Sequence, residues 1–469
     1  MIEIPVAFAI GPSGMLDCVL SALMLAPLIF FTACAAYLWR LLFFAIPGRG
    51  RVLALSYATA TSSPSGSDRI SAVTPAAAIP DGIQAAPQLR FVLIIPAHNE
   101  ELVIAPALES IFCIDYPREA YRVIVVADNC TDRTAAIARQ AGAEVYERND
   151  SSALGKGYAL AWVMEQLVAD ARPKAVGGEA SPGAESDVLD RTADFDAVVI
   201  LDADTKPAAN LLSVFAKRLA SGDRAIQSRY EVLNAAESWR TRLMTCALAM
   251  LHIVKPLGRE RLLLSDGLKG NGMCFARSIV ESVRWSGDSI TEDIDYTLRL
   301  CLAGYRVAFA PETAVWAQMP TTGKQAASQR RRWEQGRYAL LFKVAPDLLR
   351  ESIRRKNAIL FDRAVELIVP PFAEMVAVPF VMMVICIVAG QALHLRVFGA
   401  HGWAWAALLV LFAGYLGAGL WVARTPFKVA VTALYAPAYV VWKFGLYGLT
   451  LLSRSGEGWK RTERRKLDG

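Results

Sequence analysis

Four short clusters carrying groups suited to phosphate and sugar chemistry follow one another along the chain: Asp128 in VVADNCTD, Asp202 and Asp204 in LDADT, Glu292 and Asp293 in TEDID, and Gln329, Arg332 and Trp333 in QRRRW. Asp202 and Asp204 offer hard carboxylate oxygens, the ligands that Mg²⁺ and Mn²⁺ take in company with substrate phosphates. At i and i+2 of an extended segment they would project to one side, so both could face one ligand. An isolated pair of this kind also reads as a solvated turn; its place directly after the apolar run VVIL argues for the ligand. Asp293 heads a segment with Ile294, Leu298 and Cys301 at helical spacing. It reads either as a capping acid of a helix beginning near Thr291 or as a general base that takes a proton from an attacking hydroxyl. Arg332 beside Trp333 pairs a two-pronged phosphate grip with a flat ring for a sugar, or else marks a basic juxtamembrane helix with an interfacial tryptophan. Lys156 in GKG can hold phosphate, although the longer phosphate-loop pattern is missing. His98 reads as a packed or capping residue. The chain has four histidines and eight cysteines with no CxxC pair, so no zinc site is predicted.

Bringing such groups together takes a sheet edge. Phe91–Ile95, Tyr121–Ala127 and Val198–Leu201 are apolar, β-branched runs that read as strands, and Glu144–Glu147 reads as a short further one. Helical sequence lies over Glu100–Ser110, Asp132–Gln140 and Gly155–Leu167. This alternation predicts a doubly wound α/β sheet. Asp128 and the Asp202–Asp204 pair then finish strands at the carboxyl edge, where open sheets bind nucleotides. Residues 51–89 are rich in Ala, Ser, Pro and Gly and read as a flexible linker. Residues 171–195, of similar composition, read as a flexible insertion in a domain running from 90 to 345.

With 54% hydrophobic residues among 469, the chain is too apolar for a purely soluble protein. Residues 1–50 hold an apolar stretch at about 16–39, of the ~20 residues that cross a bilayer. A cleaved signal peptide competes, but Glu3 and Asp17 stand where a basic leader region belongs. Arg40, Arg49 and Arg51 follow the stretch and predict a cytoplasmic exit. Residues 346–469 carry interfacial helical sequence, three more apolar segments at about 372–393, 403–423 and 429–452, and a basic tail. Pro437 and Lys443 interrupt the last segment, so it is expected to lie along the cytoplasmic interface, giving three crossings, with four as the alternative. Formal charge is only +6, yet between Gly323 and Arg363 eleven Lys or Arg face four Asp or Glu. That stretch suits anionic headgroups or a polyphosphate.

Taken in order, IPAHNEE, VVADNCTD, GKG, LDADT, LKGNGMCF, TED and QxxRW resemble the membrane-integrated family 2 glycosyltransferases, the group that includes cellulose, hyaluronan, chitin-oligosaccharide and poly-N-acetylglucosamine synthases. The resemblance runs from about Phe91 to Tyr338. It implies a GT-A catalytic domain, a nucleotide-sugar-binding Rossmann-like α/β fold with transmembrane and interfacial helices. It also implies inverting transfer, with Mg²⁺ or Mn²⁺, from a nucleotide sugar, usually a UDP-sugar. The acceptor would be a membrane-associated glycan or a lipid-linked molecule, as in exopolysaccharide assembly. The catalytic domain would lie on the cytoplasmic side of the inner (plasma) membrane, and no nucleic-acid partner is expected. Carried over by position, Pro96, Glu100 and Asp128 would contact the nucleoside and Lys156 would lie near the nucleotide. Asp202 and Asp204 would hold the sugar nucleotide and its cation, Arg332 would meet the diphosphate, and Asp293 would be the base. Gly270, Asn271, Gly272, Glu292, Gln329 and Trp333 would border the acceptor. GNG stands where cellulose synthases have a Cys-Gly-Ser type sequence, and the spans are few for an extrusion channel. Single-sugar transfer is therefore weighed against processive synthesis. A membrane protein that only senses a nucleotide would leave TED and QxxRW with no reason to accompany the aspartate pair.

Overall fold

β-Branched apolar runs make the first half of the chain a sheet, and the structure, a computed structural model, describes residues 12–52, 88–170, 195–287, 289, 291–319, 321, 336–393 and 396–436. The strands are β1 (Phe91–Ala97), β2 (Tyr121–Asp128), β3 (Glu144–Arg148), β4 (Ala197–Ile200), β5 (Lys206–Pro207), β6 (Ala225–Val232), β7 (Met273–Ala276) and β8 (Val307–Ala317). Their order is β3-β2-β1-β4-β7-β6-β8-β5. The parallel half, β3-β2-β1-β4, is the one expected from the sequence. The purely parallel expectation fails at β7, which runs antiparallel to both β4 and β6. At four residues, MCFA is too short to show an orientation in its own pattern.

Helices cover both faces. Ile104, Leu108 and Ile111 of the helix Ile104–Phe112 pack with Leu211 and Phe215 on one side of the sheet. Leu160, Val163 and Leu167 of the helix Lys156–Asp170 pack with Tyr296 and Leu300 on the other. The first helix starts four residues later than expected, because residues 101–103 form a turn. Phe195, assigned by composition to the flexible insertion, is 2% exposed and belongs to the core; the rest of that insertion lies outside the described residues, as does most of the linker.

Among the described residues, three helices are long and apolar enough to cross a membrane: Ser21–Arg51, Phe372–Ala392 and Phe398–Val422. The first helical stretch extends past the expected boundary at Trp39, and the third begins before Trp403. Exposed Ile29, Phe43, Val388, Trp403 and Val410 give these helices an apolar outer surface. Of the fourth segment, residues 429–436 are described. The short helix Phe427–Ala430 passes into a 3₁₀ turn, Val431–Tyr435; Pro437, Lys443 and the tail lie outside the described residues.

The N-terminal helix docks on the sheet-bearing part of the chain through the helix Lys255–Arg261. A Cβ on Gly258 would overlap the backbone carbonyl of Leu41, so the two helices touch backbone to backbone. Beside this contact lies a buried ionic cluster. Arg259 pairs with Asp362 at 2.8 Å and with Glu366 at 2.5 Å, Lys255 with Glu366 at 2.6 Å, and Arg259 donates to the Tyr37 hydroxyl at 2.7 Å. Burial alone would raise the Glu366 carboxyl, but Arg259 and Lys255 hold it well below its ordinary value. Gly258→Ala tests the contact. Alanine would favour the helix by about 1 kcal/mol, but the backbone it strikes cannot yield as a side chain can, and overpacking costs about 1–3 kcal/mol. The expected net result is a lower unfolding midpoint in detergent. Gly50→Ala, with nothing within 4 Å of the added carbon, should leave the midpoint unchanged.

Candidate active site

Antiparallel β7 builds the centre of the site. Ile200 of β4 is in register with Met273 of β7, so the residues leaving β4, Asp202–Asp204, meet those entering β7, Gly270–Gly272. The Asn271 side chain ties the two loops together. Its Oδ1 accepts from the Asp202 backbone N–H at 3.1 Å, and its Nδ2 donates to Thr205 Oγ1 at 2.9 Å. Gln227 of β6 donates to the Asn271 carbonyl at 2.8 Å and accepts from the Lys269 N–H at 2.9 Å. Asn271 is fully buried. Its amide is engaged in positioning the aspartate loop. Gly272, at φ +66, is pressed so closely against the Ser228 hydroxyl that a Cβ has no room.

The aspartate pair does not sit on a strand. β4 ends at Ile200, and residues 202–205 form a turn closed by Thr205 N–H to Asp202 O at 3.1 Å. The argument that both carboxylates project to one side of an extended segment therefore does not apply. Asp204 is 2% exposed, whereas Asp202 turns to Lys156.

Lys156, the first residue of its helix, lies at the hub. Its ammonium donates to Asp202 Oδ1 and, at 2.5 Å, to the Gly270 carbonyl. Burial would lower its pKa, but Asp202 and then Glu292 outweigh that and hold it above its ordinary value. Gly270, at φ +75, has space for a Cβ only 3.6 Å from Asp293 Oδ2 and 3.8 Å from Lys156 Nζ. The glycine keeps a side chain out of the space beside the Asp293 carboxylate and the Lys156 ammonium.

The helix Glu292–Leu302 starts where Thr291 was expected to cap it, yet the Thr291 hydroxyl makes no capping bond. Its methyl faces Gly336 instead, where a Cβ would overlap it. Glu292 and Asp293 are half-buried at this helix start. Burial, followed by the charge of Asp293, pushes Glu292 up to about 7, against Lys156. Burial raises Asp293 too, opposed by the Ile294 N–H and Lys156. The protons of the two belong to the pair. With Asp293 read as a base, its ionised form is lost as pH falls, so activity is expected to decline on the acid side at a higher pH than an ordinary aspartate would give. Glu292→Gln, which removes one of the two carboxylates, should move that limb to lower pH in a pH–rate profile.

At the edge of the parallel half, Asp128 ends β2 and accepts from Arg148 Nη1 at 2.6 Å. Arg148 ends β3, is 7% exposed, and also reaches Asp150 at 2.9 Å. Sequence reading passed over Arg148, since a strand-terminal arginine gives no signal of its own. Pro96 stands one residue from the end of β1, and the buried Glu100 takes Thr134 Oγ1 as acceptor for its N–H at 2.7 Å. His98 Nδ1 lies 2.7 Å from the Asp128 carbonyl, a packed arrangement at the same edge. Gln329, Arg332 and Trp333 lie outside the described residues.

Among the described residues no three or more His, Cys, Asp or Glu side chains gather for a metal ion. An ion at the 202–205 turn would draw at most two carboxylates from these residues and would complete its shell with phosphate oxygens and water. That shell fits the habit of Mg²⁺.

A family profile described as glycosyltransferase-like family 2 matches residues 87–336. Among curated proteins, the probable glycosyltransferase YdaM of Bacillus subtilis (strain 168) is 28% identical over 273 residues, 58% of this chain and 60% of that protein. The beta-monoglucosyldiacylglycerol synthase of Synechocystis sp. (strain ATCC 27184 / PCC 6803 / Kazusa) is 30% identical over 251 residues, 52% of this chain and 47% of that protein. The chain thus spans about half the length of the curated relatives it matches. The solved mannosyltransferase PcManGT from Pyrobaculum calidifontis superposes with a TM-score of 0.42 at 18% identity, over 83% of this chain and 98% of that one.

Proposed function

Because the profile match covers more than half of it, the chain belongs to glycosyltransferase-like family 2 and is a glycosyltransferase with a GT-A domain, and we propose that it moves one sugar, with inversion, from a UDP-sugar to an acceptor held in or on the bilayer. The observation that carries this reading is the meeting of Asp202, Lys156, Gly270 and Asp293 within one site, in a chain with three helices able to cross a membrane. The relative named for glucosyldiacylglycerol synthesis supports a lipid acceptor.

In this reading Asp293 takes the proton of the acceptor hydroxyl as its oxygen bonds to the anomeric carbon. The bond from that carbon to the diphosphate breaks on the opposite face, and the electron pair leaves with the diphosphate. Lys156 keeps Asp202 and the carboxylate pair in a fixed charge balance. Asp128, held by Arg148, faces the nucleoside, and Arg332 meets the diphosphate. A divalent cation held by Asp202 and Asp204 would supply charge neutralisation for the leaving group. The domain works on the cytoplasmic side of the inner membrane, supplying exopolysaccharide or other cell-surface glycan synthesis.

Membranes containing the protein, given Mn²⁺ and a panel of UDP-glucose, UDP-galactose, UDP-N-acetylglucosamine and GDP-mannose, should label a lipid-extractable product bearing one sugar from a UDP donor. A long polymer would favour processive synthesis. Nucleotide binding without acceptor-dependent UDP release would overturn the proposal.

A further inference from the structure

Three consecutive residues, Gly336 to Tyr338, separated from QRRRW by two residues, touch three different parts of the molecule. Gly336 abuts the Thr291 methyl next to the catalytic pair. Arg337 donates from Nη2 to the carbonyls of Glu366 and Leu367, each at 3.2 Å, and to that of Val369. Tyr338 donates to the Glu374 carboxylate at 2.9 Å, in the first turn of the apolar helix Phe372–Leu393.

The carbonyls that Arg337 serves are no random set. In an α-helix the carbonyls of Glu366 and Leu367 would accept from the N–H groups four residues on, at positions 370 and 371. Both positions are proline, which has no N–H. The helix Ala358–Ile368 therefore ends with orphan acceptors. The guanidinium supplies donors and sets a positive charge at the negative end of the helix dipole. The Glu366 side chain is meanwhile held by Lys255 and Arg259. The point where the chain turns towards the membrane is thus gripped from the domain side and from the segment after QRRRW.

We infer that Arg337 is a positioning residue: it fixes the start of the Glu292–Leu302 helix, and with it Asp293, at a set height relative to the membrane entry at Pro370–Pro371. The inference rests on the proposed transfer to a bilayer-held acceptor, because only an acceptor presented from the membrane makes that height matter. A base displaced by an ångström loses up to about 10²-fold in rate. Water, which approaches from anywhere, is less affected.

The test compares Arg337→Ala, Arg337→Lys and a triple variant adding Pro370→Ala and Pro371→Ala to Arg337→Ala. The added alanines return the two missing helix donors. With Mn²⁺ and a UDP-sugar turned over by the parent, Arg337→Ala should cut kcat for transfer by about tenfold to 10²-fold. Its affinity for UDP with Mn²⁺ should stay within about threefold, and the share of donor lost to hydrolysis should rise. Lysine should recover most of the transfer, since it keeps the charge and the reach. The triple variant should recover the unfolding midpoint without recovering transfer. If midpoint and transfer return together, Arg337 is only a helix cap and the inference falls. Should the parent turn over no UDP-sugar, the proposed donor class fails by itself. Amide exchange then decides on Arg337: faster exchange at residues 291–295 in the triple variant supports the positioning role, and unchanged exchange overturns it.

Discussion

Asp293→Asn is expected to lower sugar transfer by at least the ~10²-fold that a positioned base contributes, while UDP affinity stays near that of the parent. Asparagine keeps the volume of aspartate and can still accept from the Ile294 N–H, as Asp293 Oδ1 does at 2.8 Å. The helix start should survive for that reason. The amide cannot take a proton from a hydroxyl. Burial already raises the Asp293 carboxyl, which brings its basicity closer to the working pH and makes the lost proton acceptor a kinetic loss. Single-turnover transfer and calorimetric UDP binding, measured on the same preparation, separate the outcomes. Transfer at the parental rate would leave Asp293 as no more than an acid at a helix N-terminus.

The parallel half of the sheet was legible because β1, β2 and β4 are dominated by apolar, β-branched residues, and Asp128 ends β2 as expected. Mixed polarity hid β6. β6 reads AIQSRYEV, yet Gln227, Ser228 and Arg229 are buried, since Gln227 serves the loop backbone and Arg229 pairs with Glu231 at 2.7 Å. Periodicity counts apolar residues and cannot see a strand whose buried groups are polar. The same limit explains Asn271. The motif GNG suggested an acceptor contact, and only the β4–β7 register reveals that the Asn271 amide also bonds to Asp202 and Thr205. Lys156 was legible as a residue near the chemistry. Its link to Asp202 spans 46 positions in sequence and could only come from the fold.

Removal of divalent cation is expected to abolish transfer, and Asp204→Ala to reproduce most of that loss. The charges at the site decide the direction. Lys156 supplies one positive charge against Asp202, Asp204 and Asp293, with Glu292 adding a partly ionised fourth carboxyl at about pKa 7. A diphosphate entering such a site without a compensating ion meets net negative charge. One like-charge pair at about 4 Å costs roughly 4 kcal/mol at an effective dielectric of 20, on the order of 10³-fold in binding. The Lys156 ammonium is a weak substitute, because two of its three donors are already directed to Asp202 and the Gly270 carbonyl and its single charge is set against several carboxylates. Calorimetry should therefore show UDP binding that collapses in EDTA and returns with Mn²⁺ or Mg²⁺. In Asp204→Ala the added metal should restore little. Removing a repelling carboxylate will recover part of the metal-free binding, so the variant and the chelated parent should differ in UDP affinity more than in transfer. Full transfer in excess chelator would take the cation out of the reaction and leave the 202–205 turn as a structural feature of the loop.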